Sequence, residues 1–220
     1  MKKNILIAAY NLNYGGIETS LMNLLKNINI DKYNVTLALE KKEGVFLNEV
    51  PKEIKIKEYK VNTSSNIFLR KVFNLTKRIK WLLLNYKRYD ASISYATYSK
   101  PCSFLARTSS KNKILFVHSN YYMAYDKDIN KIKEFFDGIK INEYNHVVFV
   151  SNESKKDLCK IYKDIESRSV TINNLVDYNK IIKLSKEKIN IDKNYNKVFL
   201  FVGRLDETPT PPTPTTRTVL

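Results

Sequence analysis

Two adjacent glycines, Gly15 and Gly16, lie between an apolar segment and an amphipathic one. Residues 5–9 predict a buried strand, and residues 17–28 predict a helix. Glycine lets a backbone approach a ligand closely, and the first turn of a helix presents unpaired N–H groups to an anion. The pair therefore predicts a ligand-facing loop, and tight packing of the strand on the helix stays open as the alternative.

The two histidines differ in their positions along the chain. His118 directly follows the apolar residues 114–117, so its imidazole is expected at the end of a strand, where it can hydrogen-bond a ligand. His146 instead begins a later strand, and we predict that it is structural. From the residues alone, a structural role for His118 also stays open.

Ser151 and Asn152 follow another apolar strand, residues 147–150. These two side chains either contact an acceptor or cap a helix that begins near Ser154. Both alternatives are compatible with the sequence.

Apolar segments rich in β-forming residues alternate with helical patterns along the chain. Strands are predicted at residues 5–9, 35–39, 54–59, 91–95, 114–117, 147–150, 169–172 and 198–202. Helices are predicted at about residues 17–28, 66–87, 100–107, 129–142, 154–163 and 179–188. The alternation predicts an α/β fold: a doubly wound, Rossmann-like parallel sheet with helices on both faces. Parallel strands end at one edge, so the glycine pair, His118, Ser151 and Asn152 are expected together there.

The composition limits the class of protein. A formal charge of +16 favours anionic partners, but the lysines are spread over the chain and no nucleic-acid-binding motif occurs, so we expect no nucleic acid partner. Cys102 and Cys159 are expected to be reduced and buried, and two histidines without a Cys/His cluster predict no metal site. The short N-terminal apolar segment does not fit a signal peptide, which favours a cytoplasmic protein.

Residues 66–87 predict one long amphipathic helix. Apolar residues at 68, 72, 75, 79, 82 and 86 share one helical stripe. Either this stripe covers the sheet and the basic residues face water, or the helix lies on an anionic membrane surface. The second interpretation assigns membrane contacts to Arg70, Lys71, Lys77, Arg78 and Trp81.

Six short segments, in order along residues 3–207, together resemble the N-terminal half of a family 4 glycosyltransferase with the GT-B fold, of the bacterial surface-polysaccharide type. The segments are GGIETSL (15–21), KEG with FL (42–44, 46–47), FVHS (116–119), VFVSNES (148–154), NNLVD (173–177) and FVGRL (201–205). Each segment is common alone, whereas their order along the chain is more specific.

The resemblance implies two doubly wound domains facing each other across a cleft. The first would bind the acceptor, and the second would bind a nucleotide-sugar donor as substrate, with no metal and no other cofactor. It implies donor contacts for Gly15, Gly16 and Arg204 and a catalytic role for His118.

The sequence departs from the family pattern after Arg204, because a lysine and a glycine expected shortly afterwards and two glutamates expected further on are absent. We therefore predict an acceptor domain at 1–175, a linker at 176–196, the first strand of an incomplete donor domain at 197–207, and an atypical tail at 208–220. Threonine and proline dominate that tail, as in a linker or a shifted reading frame.

The resemblance implies the N-terminal portion of a retaining glycosyltransferase of surface, for example capsular, polysaccharide biosynthesis. It would transfer a sugar to a glycan or lipid-linked acceptor, and the chain alone would be inactive. The alternative is a non-catalytic fragment that binds an acceptor or a membrane. Peripheral association with the inner face of the cell membrane is compatible with either function.

Overall fold

Seven parallel strands form one sheet in the order β3-β2-β1-β4-β5-β6-β7. The computed structural model describes residues 1–188. The strands are β1 (Lys3–Ala9), β2 (Tyr33–Leu39), β3 (Lys55–Glu58), β4 (Ala91–Ser94), β5 (Lys113–Val117), β6 (His146–Phe149) and β7 (Ser169–Thr171). Each strand lies within two residues of its predicted position, and the predicted parallel α/β fold is confirmed.

Helices connect most of the strands. They are α1 (Gly16–Asn27), α2 (Ile67–Asn85), α3 (Lys100–Ser109), α4 (Tyr121–Ala124), α5 (Ile129–Gly138), α6 (Asn152–Ile161) and α7 (Tyr178–Ser185). The sequence did not predict α4, because its four residues are too few to show a helical period. The side chain of Asn120 accepts hydrogen bonds from the first N–H groups of α4 and so defines where this helix begins.

The chain divides into two compact units, Met1–Asp177 and a second that begins at Tyr178. The sheet and helices α1 to α6 belong to the first unit, and α7 belongs to the second. The predicted strand at 197–207, the tail at 208–220 and Arg204 lie outside the described residues, as does the end of the predicted linker.

Both faces of the sheet are covered. Along β1, Ile7 and Ala9 pack in the cluster that contains Leu21 and Leu25 of α1. The alternate residues of β1, Leu6 and Ala8, pack with α3 and with Trp81 of α2. A strand that is buried on both sides must be apolar at successive positions, which explains the unbroken apolar sequence of residues 5–9.

The order of the strands reverses between β1 and β4. The chain leaves β1 toward α1 on one face and leaves β4 toward α3 on the other face. In open parallel sheets, the two diverging loops leave a crevice at the carboxyl ends of the strands, and ligands bind there. Here the crevice lies between the loop that contains the glycine pair and the loop after Ser94.

Candidate functional site

The loop after β1 is fastened to the loop after β2. The N–H of Leu12 donates to the carbonyl of Glu43 at 2.9 Å, and the N–H of Phe46 donates to the carbonyl of Leu12 at 3.0 Å. Gly44 has a φ of +125°, and a Cβ at this position would lie 2.1 Å from the carbonyl carbon of Leu12. Only glycine fits this close approach, so Gly44 holds the glycine-pair loop in place.

The fold itself does not require either glycine of the pair. Gly15 has an extended backbone, with φ −179° and ψ 159°, which any residue can adopt. A Cβ added to Gly16 meets no atom within 4 Å, so the packing alternative does not hold at this position. Gly16 therefore leaves open space at the N-terminus of α1, as a ligand-facing loop requires.

Glu18 lies in the first turn of α1, next to this open space. A Cβ on Gly15 would come within 2.1 Å of Oε2 of Glu18, so the carboxylate folds back over Gly15. An anion is favoured at the positively polarised start of a helix. The position of Glu18 in the first turn is therefore favourable for its negative charge.

His118 follows β5 at the carboxyl edge of the sheet. Its Nδ1 and Nε2 atoms are both buried, and neither has a hydrogen-bond partner within the described residues. Burial lowers the pKa of His118 to about 4, and the nearby backbone of Tyr95 opposes this shift only in part. The imidazole is therefore neutral near pH 7, with one donor and one acceptor available for a ligand.

Tyr95 connects His118 to α1. The phenol and imidazole ring centroids lie 4.5 Å apart, and the Tyr95 hydroxyl lies 2.7 Å from Oγ of Ser20 in the second turn of α1. A single side chain thus joins the helix that begins at the glycine pair to the histidine. Tyr95 was not among the predicted site residues, although it follows β4 just as His118 follows β5, and this placement is the signal in the sequence that identifies it.

Aromatic side chains line the two loops that flank the crevice. Tyr10, after β1, packs edge-to-face on Tyr98 at 5.9 Å, and the ammonium of Lys41 lies 5.4 Å from the Tyr10 ring centroid. Burial raises the pKa of Tyr98, and the negative charge of Glu18 raises it further. Apolar ring faces with hydroxyl groups beside them suit the mixed apolar and polar surface of a sugar.

This geometry agrees with a comparison of the sequence with protein families. The model of Glycosyltransferase Family 4 matches residues 14–180, from the glycine-pair loop to the start of α7. The chain belongs to glycosyltransferase family 4. A search of curated proteins finds no match to the sequence.

Solved glycosyltransferase structures share the fold of this family 4 chain. HepE of Anabaena, in complex with UDP-glucose, superposes with a TM-score of 0.57 at 15% identity, over 80% of this chain and 45% of HepE. The apo form of the lipopolysaccharide outer core galactosyltransferase WaaB has a TM-score of 0.51 at 16% identity, over 80% of this chain and 46% of WaaB. The chain spans about half the length of these solved structures.

Ser151 is the N-cap of α6 in this family 4 domain. Its Oγ accepts a hydrogen bond from the N–H of Ser154 at 3.2 Å, so Ser151 caps the helix, and acceptor contacts of Ser151 and Asn152 stay a prediction. The helix begins at Asn152, two residues before its predicted start, and the side chain of Asn152 is exposed. Ser154 donates to the carbonyl of Ser119, so the start of α6 is tied to the residue that follows His118.

Helix α2 contradicts the first predicted arrangement, in which the apolar stripe covers the sheet. The apolar stripe faces outward: Phe68 is 74% exposed and Leu75 is 57% exposed. Trp81, predicted at a lipid interface, is 6% exposed, and its indole N–H donates to Oγ of Ser109 at 3.1 Å. The interpretation in which the stripe covers the sheet is wrong, and so is the interfacial position of Trp81.

Polar contacts hold α2 in an orientation in which its apolar stripe does not face the sheet. Asn74 pairs with the backbone of Asn62 through both its amide oxygen and its amide nitrogen. Lys77 donates to the carbonyl of Lys60, and the guanidinium of Arg78 lies 5.4 Å from the Phe104 ring centroid. Of the basic residues assigned to the membrane, Arg70 and Lys71 are exposed, whereas Lys77 and Arg78 contact the protein.

The remaining expectations concern metals and membranes. Among residues 1–188, no group of three histidine, cysteine, aspartate or glutamate side chains is placed to hold a metal ion. In the same part of the chain, no helix has the length and apolarity to cross a membrane. Cys102 and Cys159 are unpaired and buried.

Proposed function

We propose that this chain is the acceptor-side domain of a retaining glycosyltransferase, which transfers a sugar from a nucleotide-sugar to a glycan or lipid-linked acceptor in surface-polysaccharide synthesis. One observation carries the proposal: His118, whose two buried ring nitrogens have no partner among residues 1–188, packs on Tyr95, which contacts the helix that begins at the glycine pair. A buried polar group without a partner costs stability, so its retention at a ligand edge favours a binding role.

Each group has a definite task in this proposal. The backbone N–H groups at Gly15 and Gly16 face the diphosphate of the donor, where negative charge grows as the sugar leaves. The neutral imidazole of His118 hydrogen-bonds a hydroxyl of the transferred sugar. Tyr10 and Tyr98 line the acceptor side of the crevice.

The motif resemblance supports the further details, namely retention of configuration, a polysaccharide product and the need for a donor-binding half. The nucleotide-sugar class is supported by the GT-B fold shared with HepE, whose structure holds UDP-glucose. UDP-glucose is therefore the first probe to use.

Selective labelling makes the test specific. The chain has five glycines and two histidines, so ¹⁵N-glycine and ¹⁵N-histidine labelling of the full chain gives few NMR signals. Titration with UDP-glucose and a panel of other nucleotide-sugars is expected to shift Gly15, Gly16 and His118. Gly138 and the exposed His146 are matched internal controls that should not move.

The outcome has two clear forms. Saturable shifts confined to the glycine pair and His118 support the proposed site, and His118→Ala should then weaken them more than His146→Ala does. The proposal is overturned if no sugar nucleotide moves these signals, or if His146 and Gly138 move to the same extent.

We also propose that α2 docks the domain on an anionic membrane at the cytoplasmic face. The supporting observation is the outward apolar face of α2, formed by Phe68, Val72, Leu75, Ile79 and Leu83. Helix α2 carries five basic residues and no acidic residue, which favours anionic lipid headgroups as the occupant of this face. A lipid-linked acceptor would place the reaction at this surface.

Vesicle co-sedimentation tests the docking proposal. The full chain should bind vesicles of phosphatidylcholine with 30% phosphatidylglycerol (an amount on the order of the anionic content of natural membranes), and bind pure phosphatidylcholine far less. The double variant Phe68→Ser with Leu83→Ser should lose binding, whereas Ile129→Ser, at an exposed apolar residue of α5, should retain it. Equal binding by the double variant and wild type, or binding that does not depend on the anionic lipid, contradicts the proposal.

A further inference from the structure

Tyr95 is the feature that the proposed roles leave unexplained. It is 1% exposed, and its ring packs at 5.0 Å on Phe116 and at 4.5 Å on His118. The Phe116 and His118 rings are also stacked, at 5.7 Å with 22° between their planes. The imidazole is therefore oriented by two aromatic rings, because its nitrogens have no hydrogen-bond partner within the described residues.

The Tyr95 ring is itself held at its hydroxyl end. Oγ of Ser20 donates its single hydrogen to Oδ1 of Asn174 at 2.7 Å. The Tyr95 hydroxyl, 2.7 Å from the same Oγ, must then be the donor to Ser20. Tyr95 thus donates to Ser20 and Ser20 donates to Asn174, so that each hydroxyl donates one hydrogen bond.

Asn174 connects this chain of hydrogen bonds to the end of the first unit. The next residue, Leu175, accepts a hydrogen bond from Nδ2 of Asn23 in α1 at 2.8 Å. Residues 174 and 175 thus lie on α1, two to three residues before the unit ends at Asp177. The segment at the end of the first unit is therefore linked to His118 through Asn174, Ser20 and Tyr95.

We propose that Tyr95 is the positioning residue of His118, and that Ser20 and Asn174 hold the Tyr95 ring at the angle that orients the imidazole. This inference rests on the proposed function of His118 as a ligand-binding residue. A small misplacement of a reacting or binding group lowers activity strongly, so a fixed imidazole has a direct functional value.

A purely structural tyrosine provides the matched comparison. Tyr144 is also 1% exposed, and its hydroxyl donates to Oγ of Ser103 at 2.8 Å. Tyr144→Phe therefore removes a buried hydroxyl and one hydrogen bond, just as Tyr95→Phe does. Only the latter change alters the anchoring of a ring that packs on His118.

NMR of the ligand-free full chain tests the proposal. Labelled histidine gives two imidazole signals, and the exposed His146 serves as the reference for an unrestrained ring. In wild type, ring currents from the neighbouring aromatic rings should displace the His118 signals, and nuclear Overhauser effects should link them to Tyr95. In Tyr95→Phe and in Ser20→Ala, the displacement of the His118 signals should shrink toward the His146 reference, and the nuclear Overhauser effects to residue 95 should weaken.

Ser20→Ala keeps the inference falsifiable if Tyr95→Phe fails to fold, because it removes the anchor without changing the ring. The proposal is overturned if Tyr95→Phe and Ser20→Ala both leave the His118 signals as in wild type, or if Tyr144→Phe moves them equally. No nucleotide-sugar is present, so this result is distinguishable from a failure of the donor-binding titration.

Discussion

The buried neutral imidazole of His118 makes this fold sensitive to acid. Its pKa is about 4 in the folded protein, whereas an unfolded histidine has a pKa near 6.5. Well above pH 6.5 both states are neutral and His118 contributes nothing to pH dependence. As the pH falls from 6.5 toward 4, the unfolded imidazole binds a proton and the folded imidazole stays mostly unprotonated. The free energy of unfolding therefore decreases.

The two pKa values set the size of this effect. At pH 5 the unfolded imidazole is nearly fully protonated and the folded one is mostly neutral. Linkage then gives a loss of about 2 kcal/mol at pH 5 relative to pH 7.5. This loss is a sizeable fraction of the roughly 5–15 kcal/mol that stabilises a typical domain.

Urea unfolding at pH 7.5, 6.5, 5.5 and 5.0 measures the effect in wild type, His118→Gln and His146→Gln. The wild-type curve should fall by about 2 kcal/mol more than that of His118→Gln across this range, because glutamine does not titrate. The His146→Gln curve should parallel wild type, since His146 is exposed. Carboxylates such as Asp157, whose pKa is lowered by a hydrogen bond from Asn120, are present in all three proteins. Their contributions to the pH dependence therefore cancel in the comparison.

The reasoning is refuted if wild type and His118→Gln lose stability in parallel between pH 7.5 and 5.0. That result would mean that the imidazole is protonated in the folded state with little penalty. A direct NMR titration of the two imidazoles would identify which one deviates.

Three further predictions concern stability. Gly44→Ala should destabilise the fold by about 2 kcal/mol or more, because of its positive φ and its contact with backbone, whereas Gly16→Ala should leave the urea midpoint almost unchanged. Trp81→Ala should cost about 3–5 kcal/mol as a core truncation, while Phe68→Ala on the exposed face of the same helix should cost far less; calorimetry of both variants checks this contrast. Ser151→Ala should cost about 1 kcal/mol through the lost cap of α6, and recovery of most of that stability in Ser151→Asp would confirm the cause.

Much of the fold could be predicted from local sequence. Buried parallel strands must be apolar on both faces, so segments such as residues 114–117 are recognisable without any tertiary information. Parallel strands end at one edge, and the alternation of strands and helices was therefore sufficient to place His118 and the glycine pair at the same rim. The role of each site residue stays a prediction.

Other features depended on contacts between distant segments. The stripe on α2 was visible in the sequence, but the direction it faces was set by Asn74 on Asn62 and by Trp81 on Ser109. Helical periodicity defines which residues share a face and contains no information about which face meets the sheet. The orientation with the stripe on the sheet was therefore wrong, although the helix itself was correctly placed.

The sequence by itself determined the parallel α/β architecture and the edge where the candidate site lies, because these follow from local periodicity. It also contained the short motifs that resemble family 4. Tertiary structure decided that Gly16 faces open space and that the His118 nitrogens lack partners in the described part of the chain. It also decided that Tyr95 joins the histidine to α1. Such features depend on residues that are distant in the sequence. Ser20 and Tyr95, for example, are 75 positions apart and come into contact only in the folded sheet.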